Sequence, residues 1–274
     1  MSEFRTMAGI LLTIFAMSTT NLSYAESDDM TLHQELERVA NLKIFFGHQS
    51  VGINLLDGIK KLSVTSGVPL HIVELKSANE VGKAMIAQTF LAENGYPLKK
   101  ISNFQLAFGP KQSNLDVALM KFCFIDFTAN TDAKSLFASY KTSIEALQSK
   151  NPGTTFVHVT APLTIVEGGL KARIKHFLNL APLYGTIENL RREEYNKLIR
   201  ETYMGREPVF DLARIESTAK SGKVETVKWD GINIPVLTPG YSSDGGHLND
   251  SGKIVAAREL VSVLASIQKQ KSSK

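Results

Sequence analysis

The chain has 274 residues, 43% of them hydrophobic and 21% charged, with a formal charge of +4. This is ordinary globular composition, enough for one substantial core and, by default, one domain. A single cysteine, Cys123, excludes an intrachain disulfide and a cysteine-built metal site, and basic residues spread along the chain argue against a nucleic-acid partner.

In chain order, the charged start Met1 to Arg5 is followed by the apolar run Met7 to Met17 and a small-residue ending, Ser23-Tyr24-Ala25. That is the layout of a secretory signal peptide over residues 1–25, which leaves one domain over 26–274, exported to a periplasm or secreted. The apolar run is short for a membrane span, and an uncleaved anchor is the alternative. No membrane helix is expected in the mature chain.

Met30 to Ala40 reads as a short helix, and Lys43 to Phe46 as a strand that ends at Gly47-His48-Gln49-Ser50. Val51, Leu55, Ile59 and Leu62 then recur at helical spacing. The alternation continues: strand Leu70 to Leu75, helix Asn79 to Ala92, strand Val117 to Phe124, helix Ala133 to Lys150, strand Thr155 to Thr160, helix Glu188 to Tyr203, strand Pro208 to Leu212. Such alternation predicts right-handed crossovers, and hence a mainly parallel sheet with helices on both faces. Lys223 to Leu237, centred on Asp230-Gly231, predicts an inserted hairpin, Ile254 to Ile267 a closing apolar helix, and Lys269 to Lys274 a solvated tail.

Ser50 follows the first strand, between Gly47 and Gly52, and opens a helix. In an open parallel sheet ligands bind beyond the carboxyl ends of the strands, and the positive end of a helix there favours a developing oxyanion. The competing reading is that Ser50 merely caps the helix. Before the last helix, Asp244 and His247 lie three residues apart, so one local turn can present a carboxylate to an imidazole and fix the tautomer that takes a serine proton. The competing readings are an Asx turn at Asp244 and a surface histidine at His247.

Phe46-Gly47-His48-Gln49-Ser50-Val51-Gly52 and Asp244-Gly245-Gly246-His247-Leu248-Asn249 together resemble the first and last blocks of the SGNH (GDSL-like) hydrolases. The resemblance implies a flavodoxin-like three-layer α/β/α sandwich on a five-stranded parallel sheet and an esterase or acyl-transfer activity, with Ser50, Asp244 and His247 as the catalytic triad. His48-Gln49 departs from the Gly-Asp-Ser of that family. At the end of the central strand Asp126 matches the family's acid, but Ile125 stands where an asparagine oxyanion donor is usual. Asn130, Lys121 and, for the family's glycine N–H, Gly109 are the substitute donors, with Gly82 as an alternative to Gly109.

His158, inside an apolar strand, reads as a hydrogen-bonded core histidine, and His33, His71 and His176 have no catalytic neighbours in sequence. No metal or cofactor is implied. Trp229, Tyr241 and Tyr184 are candidates for flat surfaces against a sugar ring, with ordinary packing as the alternative. The expected partner is a small-molecule or glycan ester. The rival functions are an acyltransferase using the same triad and a non-catalytic glycan-binding or assembly protein on the same fold.

Overall fold

The computed structural model describes residues 31–109 and 113–272, with side chains through 267. The expected signal segment and the last two residues of the basic tail lie outside the described residues, and the rest of that tail continues the last helix to Ser272.

Six parallel strands form the central sheet: β1 (Lys43–His48), β2 (Ile72–Glu74), β3 (Met85–Phe90), β4 (Val117–Met120), β5 (Thr155–Val159) and β6 (Val209–Phe210), in the order β2-β3-β1-β4-β5-β6. Their side chains alternate between two cores, as a strand period of two requires. Ile44, Phe46, Val117 and Leu119 join one cluster, and Phe45, Ala118, Met120 and Phe156 the other. Because both faces are apolar, both must be covered.

The first face is covered by α1 (31–40), α2 (Ser50–Ser66) and α8 (Asp250–Ser272). The second is covered by α3 (Pro97–Phe108), α4 (Ala133–Lys150) and α6 (Thr186–Tyr203). The molecule is therefore the expected three-layer α/β/α sandwich. Two shorter helices, α5 (Leu170–Phe177) and α7 (Leu212–Ser217), lie after β5 and β6. The predicted hairpin is present as β7 (Thr226–Trp229) and β8 (Ile232–Pro235), turning at Asp230 and Gly231, which both have positive φ.

Two expectations are corrected. Asn79 to Ala92 is not a helix: a capping box between Ser77 and Glu80 closes one 3-10 turn, and the chain then enters β3. Ile86 and Ala87 of β3 are buried on opposite faces, and a short apolar run of this kind carries no periodicity that separates strand from helix. Inserted between β2 and β1, β3 raises the sheet from five strands to six. The strand expected over Val117 to Phe124 stops at Met120, because the Asp126 carboxylate takes the Cys123 N–H at 2.6 Å and turns the chain into a 3-10 turn at Phe124–Asp126.

One close approach positions the site. A side chain at Gly58 would lie 2.3 Å from the Lys253 carbonyl, so α2 and α8 cross where only glycine fits. Ser50 begins the first of these helices, and His247 lies just before the second.

Candidate active site

All six strands point the same way, so His48, Phe90, Met120, Val159 and Phe210 end at one edge. The chain leaves β1 toward one side of the sheet, while β4, β5 and β6 lie on the other. The gap beyond β1 and β4 is therefore the topological switch point, where ligands bind in such sheets.

Ser50 stands at that gap as the first residue of α2. The N-cap is Gln49, not Ser50. Gln49 is tied down by its own amide, which donates to the Leu91 and Ala92 carbonyls at 2.5 and 3.3 Å. Among the described residues the one partner of Ser50 Oγ is Cys123 Sγ at 3.7 Å, so the hydroxyl is not spent on capping.

His48 is fully buried beneath this turn, between Phe46 and Phe90, with Nδ1 3.0 Å from the Gln49 carbonyl oxygen. Burial pushes its pKa down to about 4, so the ring is neutral at physiological pH. Gly52 is needed above it, because a Cβ there would meet the imidazole at 2.3 Å. His48 thus builds the floor of the serine turn.

Asp244 and His247 form the expected pair. Asp244 Oδ2 lies 2.7 Å from His247 Nδ1, and Oδ1 accepts the Gly246 and His247 N–H groups at 3.0 and 2.8 Å. Burial pushes the Asp244 carboxyl upward, but these N–H groups and the His247 ring outweigh it and hold the group well below the usual carboxylate range. The Asx turn and the acid–imidazole pair are therefore the same structure, and the acid fixes the proton on Nδ1 and leaves Nε2 as the basic nitrogen.

The two halves meet through neighbours. Leu248 N–H donates to Asn54 Oδ1 at 3.0 Å, one turn along α2 from Ser50. Cys123 touches Ser50, and the next residue, Phe124, packs edge-on against the His247 ring at 5.3 Å. Ser50 and His247 make no hydrogen bond to each other in this structure.

A cavity of about 440 Å³ opens beside His247, lined by Phe124, Ile165, Glu167, Tyr184, Glu188 and Arg192, among others. Arg192, nearly buried, donates from Nε and Nη2 to the Phe124 carbonyl at 3.1 and 2.9 Å, which fixes the loop after β4. Burial lowers its pKa to about 10, so it remains a cation.

Beneath the same loop, Asp126 and Lys100 form an ion pair at 2.7 Å with both side chains fully buried. Asp126 also accepts the Gly95 and Cys123 N–H groups, so one carboxylate joins the loops after β3 and β4. The residue matched to the family's acid is a structural anchor.

The expected oxyanion donors, Gly109 or its alternative Gly82, Asn130 and Lys121, are not brought together around Ser50. Gly109 caps α3 at the opposite edge of the sheet, close to Asn79. Gly82 precedes β3 at that edge too. Asn130 is exposed in a turn that lines a separate depression with Arg191 and Glu194. Lys121 is buried and donates to the Phe122 carbonyl at 2.8 Å, and burial lowers its pKa to about 8. Of the aromatic candidates, Tyr184 lines the cavity, Tyr241 is core, and Trp229 stacks on His176. His158 is the expected core histidine, held by Tyr140 and Glu207.

Sequence reasoning missed Asn54, Arg192 and Lys100. Asn54 carries a signal, four residues after Ser50 and hence on the same helix face. Arg192 and Lys100 carry none, since the partners that matter for the site, the Phe124 carbonyl and the Asp126 carboxylate, lie 68 and 26 positions away. Among the described residues no cluster of three metal-ligating side chains occurs, and no helix is long and apolar enough to cross a membrane.

Fold and site define a three-layer α/β/α protein with a serine at the switch point and an Asp–His pair on the loop before its last helix. No protein-family model matches the chain, and no curated protein does. Among solved structures, it is similar to a GDSL-like lipase from Bacteroides thetaiotaomicron (10% identity, 83% of this chain and 87% of that one, TM-score 0.46). It is also similar to the periplasmic domain of a lipopolysaccharide acetyltransferase from Salmonella ser. Paratyphi A (15% identity, 86% and 85%, TM-score 0.43). A third is phospholipase A1 from Streptomyces albidoflavus NA297 (13% identity, 82% and 99%, TM-score 0.37).

Proposed function

We propose that the protein is an exported serine hydrolase of the SGNH type that cleaves an O-acyl ester, such as an O-acetyl group on a polysaccharide. The observation that carries this reading is the Asp244–His247 pair at 2.7 Å, on a loop tethered through Leu248 to the helix that begins with Ser50. Reaction geometry in an unliganded site is commonly looser than in the complex, so the open Ser50–His247 step is compatible with the triad.

In this reading His247 Nε2 removes the Ser50 proton as Oγ attacks the ester carbonyl. Asp244 stabilises the imidazolium. Backbone N–H groups in the first turn of α2 receive the oxyanion, aided by the positive end of the helix. His247 returns the proton to the departing alcohol, and water, activated by the same imidazole, releases the acid from Ser50.

An acyltransferase would use the same steps with a sugar hydroxyl in place of that water. The cavity beside His247, with carboxylates at Glu167 and Glu188 and an aromatic face at Tyr184, is the feature that favours keeping this second reading. Hydrolysis of p-nitrophenyl acetate tests the shared chemistry: turnover is expected, with loss in Ser50→Ala and His247→Ala variants that still fold. Equal rates in all three proteins would leave a non-catalytic binding protein.

A further inference from the structure

The segment between Glu167 and Tyr184 leaves the body of the protein and returns to it. Its base is pinned by a two-residue bridge, with Glu167 and Tyr184 each donating N–H to the other's carbonyl at 3.2 Å. Both residues also line the cavity beside His247. The excursion carries α5, in which no residue is buried.

The exposed surface of this arm is apolar. Leu170, Ile174, Phe177 and Leu178 fall at i, i+4, i+7 and i+8, which is one face of a helix, and Leu180 follows. Phe177 is 86% exposed, Leu170 78% and Leu180 71%, values that a water-facing helix with a finished interface would not show. Lys171 and Arg173 flank the apolar face on either side, Lys175 lies further round, and no acidic residue occurs between Glu167 and Glu188. On the inner side His176 stacks on Trp229 of the hairpin at 5.3 Å, and Ile232, paired with Trp229, is half exposed.

We propose that α5 and the chain through Leu180 form a docking surface for an anionic lipid bilayer. An exposed apolar stripe edged by cations, with no acid on the arm itself, matches the interfacial helices that lie in the headgroup plane. The charge decides the occupant, because a second copy of this surface would bring Lys171, Arg173 and Lys175 against their own kind. Docking brings the cavity rim at Glu167 and Tyr184 to the lipid surface. The inference stands apart from the hydrolase reading, since it concerns where the chain binds and not what it cleaves.

Trp229 is the sole tryptophan of the sequence and sits against α5, so it reports on this surface alone. The full chain is mixed with vesicles of phosphatidylglycerol and phosphatidylcholine, or of phosphatidylcholine only, each made with brominated acyl chains. The expected result is quenching of Trp229 emission by the anionic vesicles, weakened by high salt, and lost in a Phe177→Ser/Leu178→Ser variant with an unchanged circular dichroism spectrum. Adsorption through another part of the chain leaves Trp229 unquenched. Absence of quenching, equal quenching by the variant, or a concentration-dependent dimer that the same variant dissolves would overturn the proposal.

Discussion

Asn54 Oδ1 and the Leu248 N–H are 3.0 Å apart across 194 positions of sequence. This hydrogen bond ties the loop carrying Asp244 and His247 to the helix carrying Ser50, and it sets how far the imidazole can drift from the hydroxyl. An Asn54→Leu variant keeps the volume and removes the acceptor. Loss of about 1–1.5 kcal/mol of positioning predicts roughly a tenfold fall in kcat/KM on an ester substrate, with circular dichroism unchanged. An unchanged kcat/KM would mean that the loop holds itself in place.

The serine turn rests on His48 and on the missing side chain of Gly52. A methyl group at Gly52 would lie 2.3 Å from the buried imidazole, so Gly52→Ala forces either the ring or α2 to move. The expected cost is about 1–3 kcal/mol of stability, read from urea unfolding, together with reduced labelling or turnover at Ser50.

Lys100 and Asp126 are both fully buried, and Asp126 joins the loops behind Ser50. Lys100→Met would strand a carboxylate in the core and is expected to destabilise the protein by about 3–5 kcal/mol. Adding Asp126→Asn to that variant, which removes the stranded charge, should recover part of the loss. Thermal unfolding of the three proteins checks this.

Glu216 on α7 is buried, with Oε2 accepting the Leu163 N–H at 2.6 Å, and burial raises its pKa to about 8. An acid whose pKa is raised on folding binds its proton more tightly in the native than in the unfolded state. Its contribution to stability is therefore complete below about 4.5 and falls away as the pH rises toward about 8. Urea midpoints measured between those pH values should decline in the parent protein and decline less in Glu216→Gln.

The alternating sequence made the layered fold legible, because strands buried on both faces must read as apolar runs and their crossover helices as amphipathic ones. The same property hid β3: Met85 to Phe90 mixes apolar residues with Gln88 and Thr89 in no strict alternation, set close behind a genuine helical cap at Ser77. The Asp244–His247 pair was legible because both partners sit in one turn. The donors around an oxyanion were not, since the residues of the right type in sequence, Gly109 and Asn130, are carried by the fold to other places. Arg192 and Lys100 act through backbone carbonyls and a distant acid, contacts that exist only once the chain has folded.

The central claim is that Ser50 is an activated nucleophile. Incubation with a fluorophosphonate, followed by peptide mass spectrometry, reads this directly. A single phosphonyl adduct on Ser50, formed slowly or not at all in His247→Ala, is the result predicted here. An unlabelled Ser50 in the folded parent protein, or labelling as fast without His247 as with it, would contradict the account.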